Sequence, residues 1–341
     1  MMVALTGPLG WHASGDIPQV RSAAQDVIEW LLEGDPALRW QVLQDLAGAA
    51  PGEVSFERHR VASEGWGARL LASQDGEGTW AKGLYLPKWT STTYTLLLLR
   101  WLGLPARDPR AIRGCQRLWE GATYTDGGLT LGYRAPETCI TGMLVLLASH
   151  FLYSDPRVDE AVAWLLRDQL PDGGWNCRAV RTGSRHSSFH TSVIVLEALL
   201  AYRASGGEID VREASARGRD FFLLHHLYRS HTTGRIARQE FTRFPFPPQW
   251  HFDVLRGLEY FRDAGSPPDS RLSEAVESIL AARSPDGRWK RYAPYPGRQW
   301  FTLEPPGPSR ITTLRCLRVL GWYSSGQGAG TKASGNAAQP G

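Results

Sequence analysis

A chain of 341 residues, 42% of them hydrophobic and 21% charged, is long enough to bury a large core in one or two domains. Its formal net charge is only +4, with lysine scarce and arginine dispersed, which argues against a nucleic-acid partner. No apolar run reaches the ~18 residues of a membrane span, and Met1 to Gly10 lacks the basic start and long apolar stretch of a secretory signal. Four cysteines in so long a chain are not a disulfide framework, so the reading is a cytoplasmic protein with reduced thiols.

Strand signals are poor and helix signals recur. Val20 to Leu32 carries Val20, Val27, Ile28 and Leu31 at helical spacing and ends at Gly34-Asp35-Pro36, where proline opens a second helix through about Leu46. Trp66 to Ser73 predicts a helix that runs into a glycine-rich turn, Gln74-Asp-Gly-Glu-Gly78-Thr-Trp80. Trp89 to Leu102 is apolar almost all round, the mark of a helix enclosed by others. Amphipathic stretches near 108–120, 157–169, 212–226 and 270–283 follow, each succeeded by a more apolar one near 137–150, 189–203, 250–262 and 310–323.

The turn phrase returns as Asp126-Gly-Gly-Leu129, as Gln169-Leu-Pro-Asp-Gly173-Gly-Trp175 and, degenerate, as Ser284-Pro-Asp-Gly287-Arg-Trp289. Such a period implies stacked helix pairs. About six pairs close into an all-α double ring, an α/α toroid with amphipathic helices outside and apolar helices inside. The expected organisation is one domain over residues 1–325, with an N-terminal helix pair in 1–55 and repeats in 56–325. The Gly/Ala/Ser-rich stretch 326–341 is expected to be a disordered tail. Loops near 175–188, 229–248 and 290–308 exceed the usual length of a helix connection and share one rim, where function is expected.

The segment Ala161-Val-Ala-Trp164-Leu165-Leu-Arg-Asp-Gln169-Leu-Pro-Asp-Gly173-Gly-Trp175 resembles the QW repeat of squalene and oxidosqualene cyclases, and similar glycine-rich repeats occur in the β subunits of protein prenyltransferases. Both groups are α/α toroids, and the resemblance covers roughly residues 55–325. The repeat itself reads as a structural staple: glycines permit a tight helix exit, tryptophan packs on the turn, and glutamine bonds the unpaired carbonyls of the helix end. The chain departs from these families in lacking the Asp-x-Asp-Asp acid of the class II cyclases, their second helical domain, and the separate helical partner that protein prenylation uses. It also lacks the Gly-Cys-Gly-Glu-Gln phrase of thioester toroids and the Cys-His pair of lanthipeptide cyclases.

Resemblance to the prenyltransferase pattern implies zinc held by Glu137, Cys139 and His190, at the starts of successive inner helices, with Cys177 as a fourth ligand if the site is closed and structural. Two residues apart, Glu137 and Cys139 face one ion only if Glu137 sits at the helix cap, which Pro136 favours. The plainer alternative has Cys139 and His190 filling core space, as Cys115 and Cys316 are expected to do. His251 and Asp253 form a second candidate group, either an acid/base pair or a helix cap beside an exposed histidine. Lys88, Arg134, Arg178, Arg185, Arg243 and Arg310 sit before inner helices as an anion-binding rim or as ordinary surface charge. Trp89, Tyr94, Phe189 and Trp250, with Trp300 and Phe301, are candidates to line an apolar cavity and stabilise cations.

Two classes of function follow. One is an enzyme with a central apolar cavity and a hydrophobic substrate, isoprenoids among the candidates, with zinc or with a non-standard terpene-cyclase acid at His251/Asp253. The other is a non-catalytic toroid that binds lipid or a partner protein.

Overall fold

The computed structural model describes residues 18–333. In chain order the helices are α1 (Pro18–Leu32), α2 (Pro36–Asp45), α3 (Pro51–Arg60), α4 (Gly65–Ala72), α5 (Thr92–Leu102) and α6 (Pro109–Gly121). A hairpin of β1 (Thr123–Thr125) and β2 (Gly128–Thr130) precedes α7 (Thr138–Phe151), α8 (Arg157–Arg167), the single turn α9 (Ala179–Thr182), α10 (Phe189–Ala204) and α11 (Arg212–Leu224). The series ends with α12 (Val254–Asp263), α13 (Ser273–Ala281) and α14 (Arg310–Ala333).

Local chemistry sets these boundaries. Asp35 caps α2 by accepting the Ala37 N–H at 2.9 Å, with Pro36 in the first helical position. Its other oxygen accepts the Trp66 N–H at 2.8 Å, so one carboxylate starts both α2 and α4. Asp108 caps α6 in the same way.

The helices form the expected double ring. On the inner ring α5, α7, α10, α12 and α14 pack in sequence order, and α14 returns to α2. The indole of Trp40 in α2 donates to the Leu102 carbonyl at the end of α5, at 3.0 Å. Closure is also polar: Arg310 Nε donates to the Trp30 carbonyl at 2.8 Å, and Arg318 Nε lies 2.6 Å from Asp45. The apolar faces of α5, α7 and α10 are almost wholly buried between neighbours, as their unbroken hydrophobic runs require.

The turns that repeat in sequence repeat in bonding. The indoles of Trp80, Trp175 and Trp289 each donate to the carbonyl ten residues earlier, Leu70, Leu165 and Ile279, at 2.7–2.8 Å. Their backbone N–H groups donate to Thr92, Ser192 and Thr313 in the first turn of the next inner helix, and Leu129 N–H donates to Thr141 likewise. The glutamine role differs from the expectation. Gln74 and Gln169 bond the Gly78 and Gly173 carbonyls of their own turns and also Arg110 and Ala214 in the next outer helix. Each glutamine therefore staples a turn to its neighbour rather than to the helix it follows.

Three features were not foreseen. The α3 segment is mostly polar, so it shows no apolar stripe. The Asp126-Gly127 turn has both residues at positive φ (50° and 93°) and closes a hairpin that pairs Thr123 with Thr130. Finally, α14 continues past Ser325 to Ala333, into the stretch expected to be a tail. The remainder of that stretch, 334–341, and the Met1 to Gly10 start lie outside the described residues.

Candidate functional site: an aromatic mouth and a charged ring centre

The amino ends of α5, α12 and α14 open on one mouth, crossed by the proline-rich strap 291–308. The indole of Trp89 donates to the Pro296 carbonyl at 2.8 Å and that of Trp300 to Thr95 Oγ1 at 3.0 Å, which ties the strap down. Beneath it, His251 lies stacked between Trp250 and Tyr295, with ring centroids 3.8 and 3.5 Å away. Trp89 packs on Tyr94 (4.8 Å) and on His251 (5.8 Å), and Lys88 stands over both Trp89 and Trp250. Trp89, Tyr94 and Trp250 thus cluster about the mouth, and of the three Trp89 lines its cavity. Phe189 does not: its ring is enclosed by Phe221, Phe222, Phe241, Phe252 and His225, in the core between α10 and α11. The space left between Trp89, Tyr295, Trp300 and Phe246 is a cavity of only about 50 Å³, room for one or two waters.

Asp253 caps α12 by accepting the Arg256 N–H on Oδ1 at 2.9 Å, while Oδ2 is buried without a hydrogen-bond partner. The residue is fully enclosed. Burial pushes its carboxyl up to about 6, and Arg315 and Arg256 hold it from rising further. His251 is not its partner. Burial, with His190, Arg256 and Lys88 near, brings the His251 imidazole down to about 3, and neither His251 Nδ1 nor Asp253 Oδ2 has a hydrogen-bond partner. The expected acid/base pair is therefore replaced by a lone buried carboxyl and a neutral, ring-stacked histidine. Asp253 turns inward to the helix end, whereas His251 is held by two aromatic faces.

Of the proposed zinc ligands, Glu137, Cys139 and Cys177 are neighbours, whereas His190 is turned to other partners. Glu137 occupies the cap position of α7 and His190 the first turn of α10, behind Ser188 as cap. Cys139 is hydrogen-bonded to Cys177, and that bond, burial and the nearby Glu137 raise its thiol well above the usual range. His190 looks elsewhere: its Nδ1 accepts the Phe252 N–H at 2.8 Å, and its ring meets Trp250, Phe241 and His251. An imidazole that binds metal through Nε2 carries its proton on Nδ1, and here Nδ1 already faces a donor. Among the described residues no group of three or more His, Cys, Asp and Glu is placed to hold a metal ion.

The rim cations divide. Arg134 and Arg185 are exposed surface residues. Arg310 faces α1, bonding Trp30 and Glu33 and lying over the Trp30 ring at 4.6 Å, so it closes the ring rather than lining the mouth.

Sequence reasoning missed the middle of the ring. Glu197 of α10 binds Arg256 of α12 through 2.7 and 3.2 Å contacts and is 3.4 Å from Arg100 of α5. Arg315 of α14 pairs with Glu259 of α12 at 2.7 Å. The signal was present: charged residues inside helices otherwise apolar all round, at Arg256/Glu259 and Arg315/Arg318.

No family model matches the chain, and neither does any curated protein. Distant likenesses exist among solved structures. A protein from Actinoplanes is 15% identical over 89% of this chain and 99% of its own, with a TM-score of 0.48. A variant of the type II terpene cyclase MstE from Scytonema, in complex with its substrate geranylgeranyl dihydroxybenzoate, is 13% identical over 90% and 98%, with a TM-score of 0.46. The ent-copalyl diphosphate synthase of Streptomyces platensis is 17% identical over 84% of this chain and 54% of its own, with a TM-score of 0.41. All three TM-scores lie below 0.5, and fold does not carry reaction with it.

Proposed function

We propose that the protein is a proton-transfer enzyme acting on a hydrophobic, isoprenoid-like substrate at the aromatic mouth, with Asp253 as the acid. One observation carries this reading: Asp253 Oδ2, enclosed, unpartnered and belonging to a carboxyl raised to about 6, lies within electrostatic range of Tyr292 and Tyr295. A carboxyl so raised holds a proton near neutral pH, and Oδ2 is the oxygen available to carry it. Donation of that proton to an alkene carbon breaks the O–H bond, forms a C–H bond and leaves a carbocation. The aromatic faces of Trp89, Tyr94, Trp250 and Tyr295 would stabilise the cation. The new carboxylate would be balanced by Arg315 and Arg256, and loss of a proton from the adjacent carbon would restore the acid. No step is routed through zinc in this reading, since His190, one of its candidate donors, is turned to the Phe252 N–H. A cavity of about 50 Å³ requires the strap 291–308 to swing out before a substrate enters and to exclude water once it closes.

The test is product analysis of purified protein with geranylgeraniol, geranylgeranyl diphosphate and squalene. Turnover is expected with at least one, with a loss of about 10²-fold or more in Asp253→Asn and partial retention in Asp253→Glu. No product from any probe, or equal turnover in Asp253→Asn, removes the reading.

A second reading is favoured by the stacking of His251 between Trp250 and Tyr295, which fills the mouth with the protein's own rings. It is a non-catalytic toroid that binds a lipid or protein. Saturable probe binding without product distinguishes it.

A further inference from the structure

On the far side of Phe246 and Ile311 from the mouth lies a second, partly open cavity, of about 210 Å³, lined by α2, α3, α5, α7, α10, α12 and α14. At ~30 Å³ per water it has room for about seven waters. Its lining is charged and unequal. Arg58, Arg100, Arg256, Arg315 and Arg318 contribute five cations, against the three carboxylates Glu197, Glu259 and Asp263. Arg256 is fully engaged with Glu197 and two carbonyls, so it neutralises and is neutralised. Others are not. Arg315 spends Nε and Nη2 on Glu259, and its Nη1 is buried without a partner on a residue only 6% exposed. His150, at the end of α7, has a buried Nε2 that likewise lacks a partner. Arg100 makes one long 3.4 Å contact with a carboxylate already held by Arg256. Arg58 bonds the Gly103 carbonyl and lies over the Trp40 ring at 4.8 Å, neither of which cancels its charge.

Buried donors without a partner beside excess positive charge are costly unless an anion meets them. We propose that the ring centre is a binding site for a small dianionic oxyanion of phosphate chemistry, held by Arg315 Nη1, His150 Nε2 and the Arg100 guanidinium. Arg318 is met by Asp45 and Asp263 by Arg262, so Arg58 and Arg100 are the two cations left over; two such charges match a dianion, and guanidinium forks match tetrahedral oxygens. His150 fits as a neutral N–H donor, since burial beside Arg100 and Arg58 holds it down to about 3. Arg315 also acts on Asp253; His150 and Arg100 are the donors that the single variants test, so the proposal stands whether or not the mouth is catalytic.

The experiment is calorimetric titration of the full-length protein with inorganic phosphate, in chloride buffer at matched ionic strength, alongside the thermal midpoint. One saturable site and a midpoint rise that chloride does not reproduce are expected, with a shift of the His150 imidazole resonances. His150→Gln and Arg100→Gln should each weaken binding by tenfold or more. The pair Arg315→Met with Glu259→Gln keeps the charge balance yet removes the Nη1 donor, and should abolish it. A phosphate monoester run in parallel separates the sources: tighter binding than phosphate marks an ester site, weaker binding a free-phosphate site. Wild-type protein that responds to phosphate no more than to chloride overturns the proposal. So does unchanged affinity in His150→Gln and Arg100→Gln, which decides the matter even if the paired variant does not fold.

Discussion

Arg256 and Glu197 meet inside the ring through two charge-assisted hydrogen bonds of 2.7 and 3.2 Å, with side chains 3% and 8% exposed. Arg256 also donates to the Gln249 and His251 carbonyls, so the pair fixes the segment that carries Trp250 and His251 and leads into the Asp253 cap. Removing one partner strands a buried charge, which costs about 3–5 kcal/mol. Glu197→Ala should lose that much in urea unfolding, and Glu197→Leu combined with Arg256→Met distinctly less. Equal losses in both would show that the charges are not coupled.

Asp253→Asn separates acid from cap. The folded carboxyl titrates at about 6 against an ordinary 3.8, so the native state binds the proton more tightly and ionisation works against folding as pH rises between those values. Asparagine keeps the cap and removes that term. The variant should gain up to about 2–3 kcal/mol over wild type at pH 8 and nothing at pH 3, by 1.36 kcal/mol per unit. A gain in stability together with a loss of turnover is the expected signature, and equal pH dependence in the two proteins would refute it.

His150 acts with the opposite sign. Its folded value, about 3, lies below the ordinary 6.5, so the unfolded chain takes up the proton first and stability falls as pH drops below 6.5. Between pH 7 and 5 this amounts to about 2 kcal/mol in the absence of phosphate. His150→Gln should change the wild-type difference between the two pH values by about that amount, measured by urea midpoints.

The repeated turns are structural. Gly173 has φ of 95°, and a Cβ there would meet the Arg217 carbonyl oxygen at 2.5 Å. Gly173→Ala is expected to cost about 1–3 kcal/mol. Trp175→Phe, which strands the Leu165 carbonyl, should cost a similar amount. Thermal melts that leave either variant unchanged would contradict the stapling role.

Cys139 should be a slow thiol. Its bond to Cys177, burial and Glu137 all favour the protonated form, and only the thiolate is alkylated readily. Iodoacetamide at pH 8 should modify it in the native protein far more slowly than in urea, read by mass spectrometry. Comparable rates would mean an open, ionised thiol.

How much of this was legible beforehand depends on the range of the interaction. Helix periodicity, Pro and Asp starts and glycine exits are local, and they place α2, α5, α7, α10 and α14 within a few residues. The cap position of Glu137, the first-turn position of His190 and the capping role of Asp253 were readable for the same reason. A polar segment such as α3 carries no such stripe, and a Gly-Gly turn does not announce whether a hairpin closes around it.

Residue order alone determined a closed ring of paired helices, because a repeated amphipathic-then-apolar rhythm has few other ways to bury its faces. Tertiary structure decided what that ring encloses. Whether His190 faces Cys139 or Phe252 depends on rotations about neighbouring helix axes. Whether Glu197, Glu259 and Arg315 meet depends on packing between α10, α12 and α14. Such contacts join residues tens of positions apart, and burial, which raises one carboxyl and neutralises one imidazole, exists only once the helices have come together.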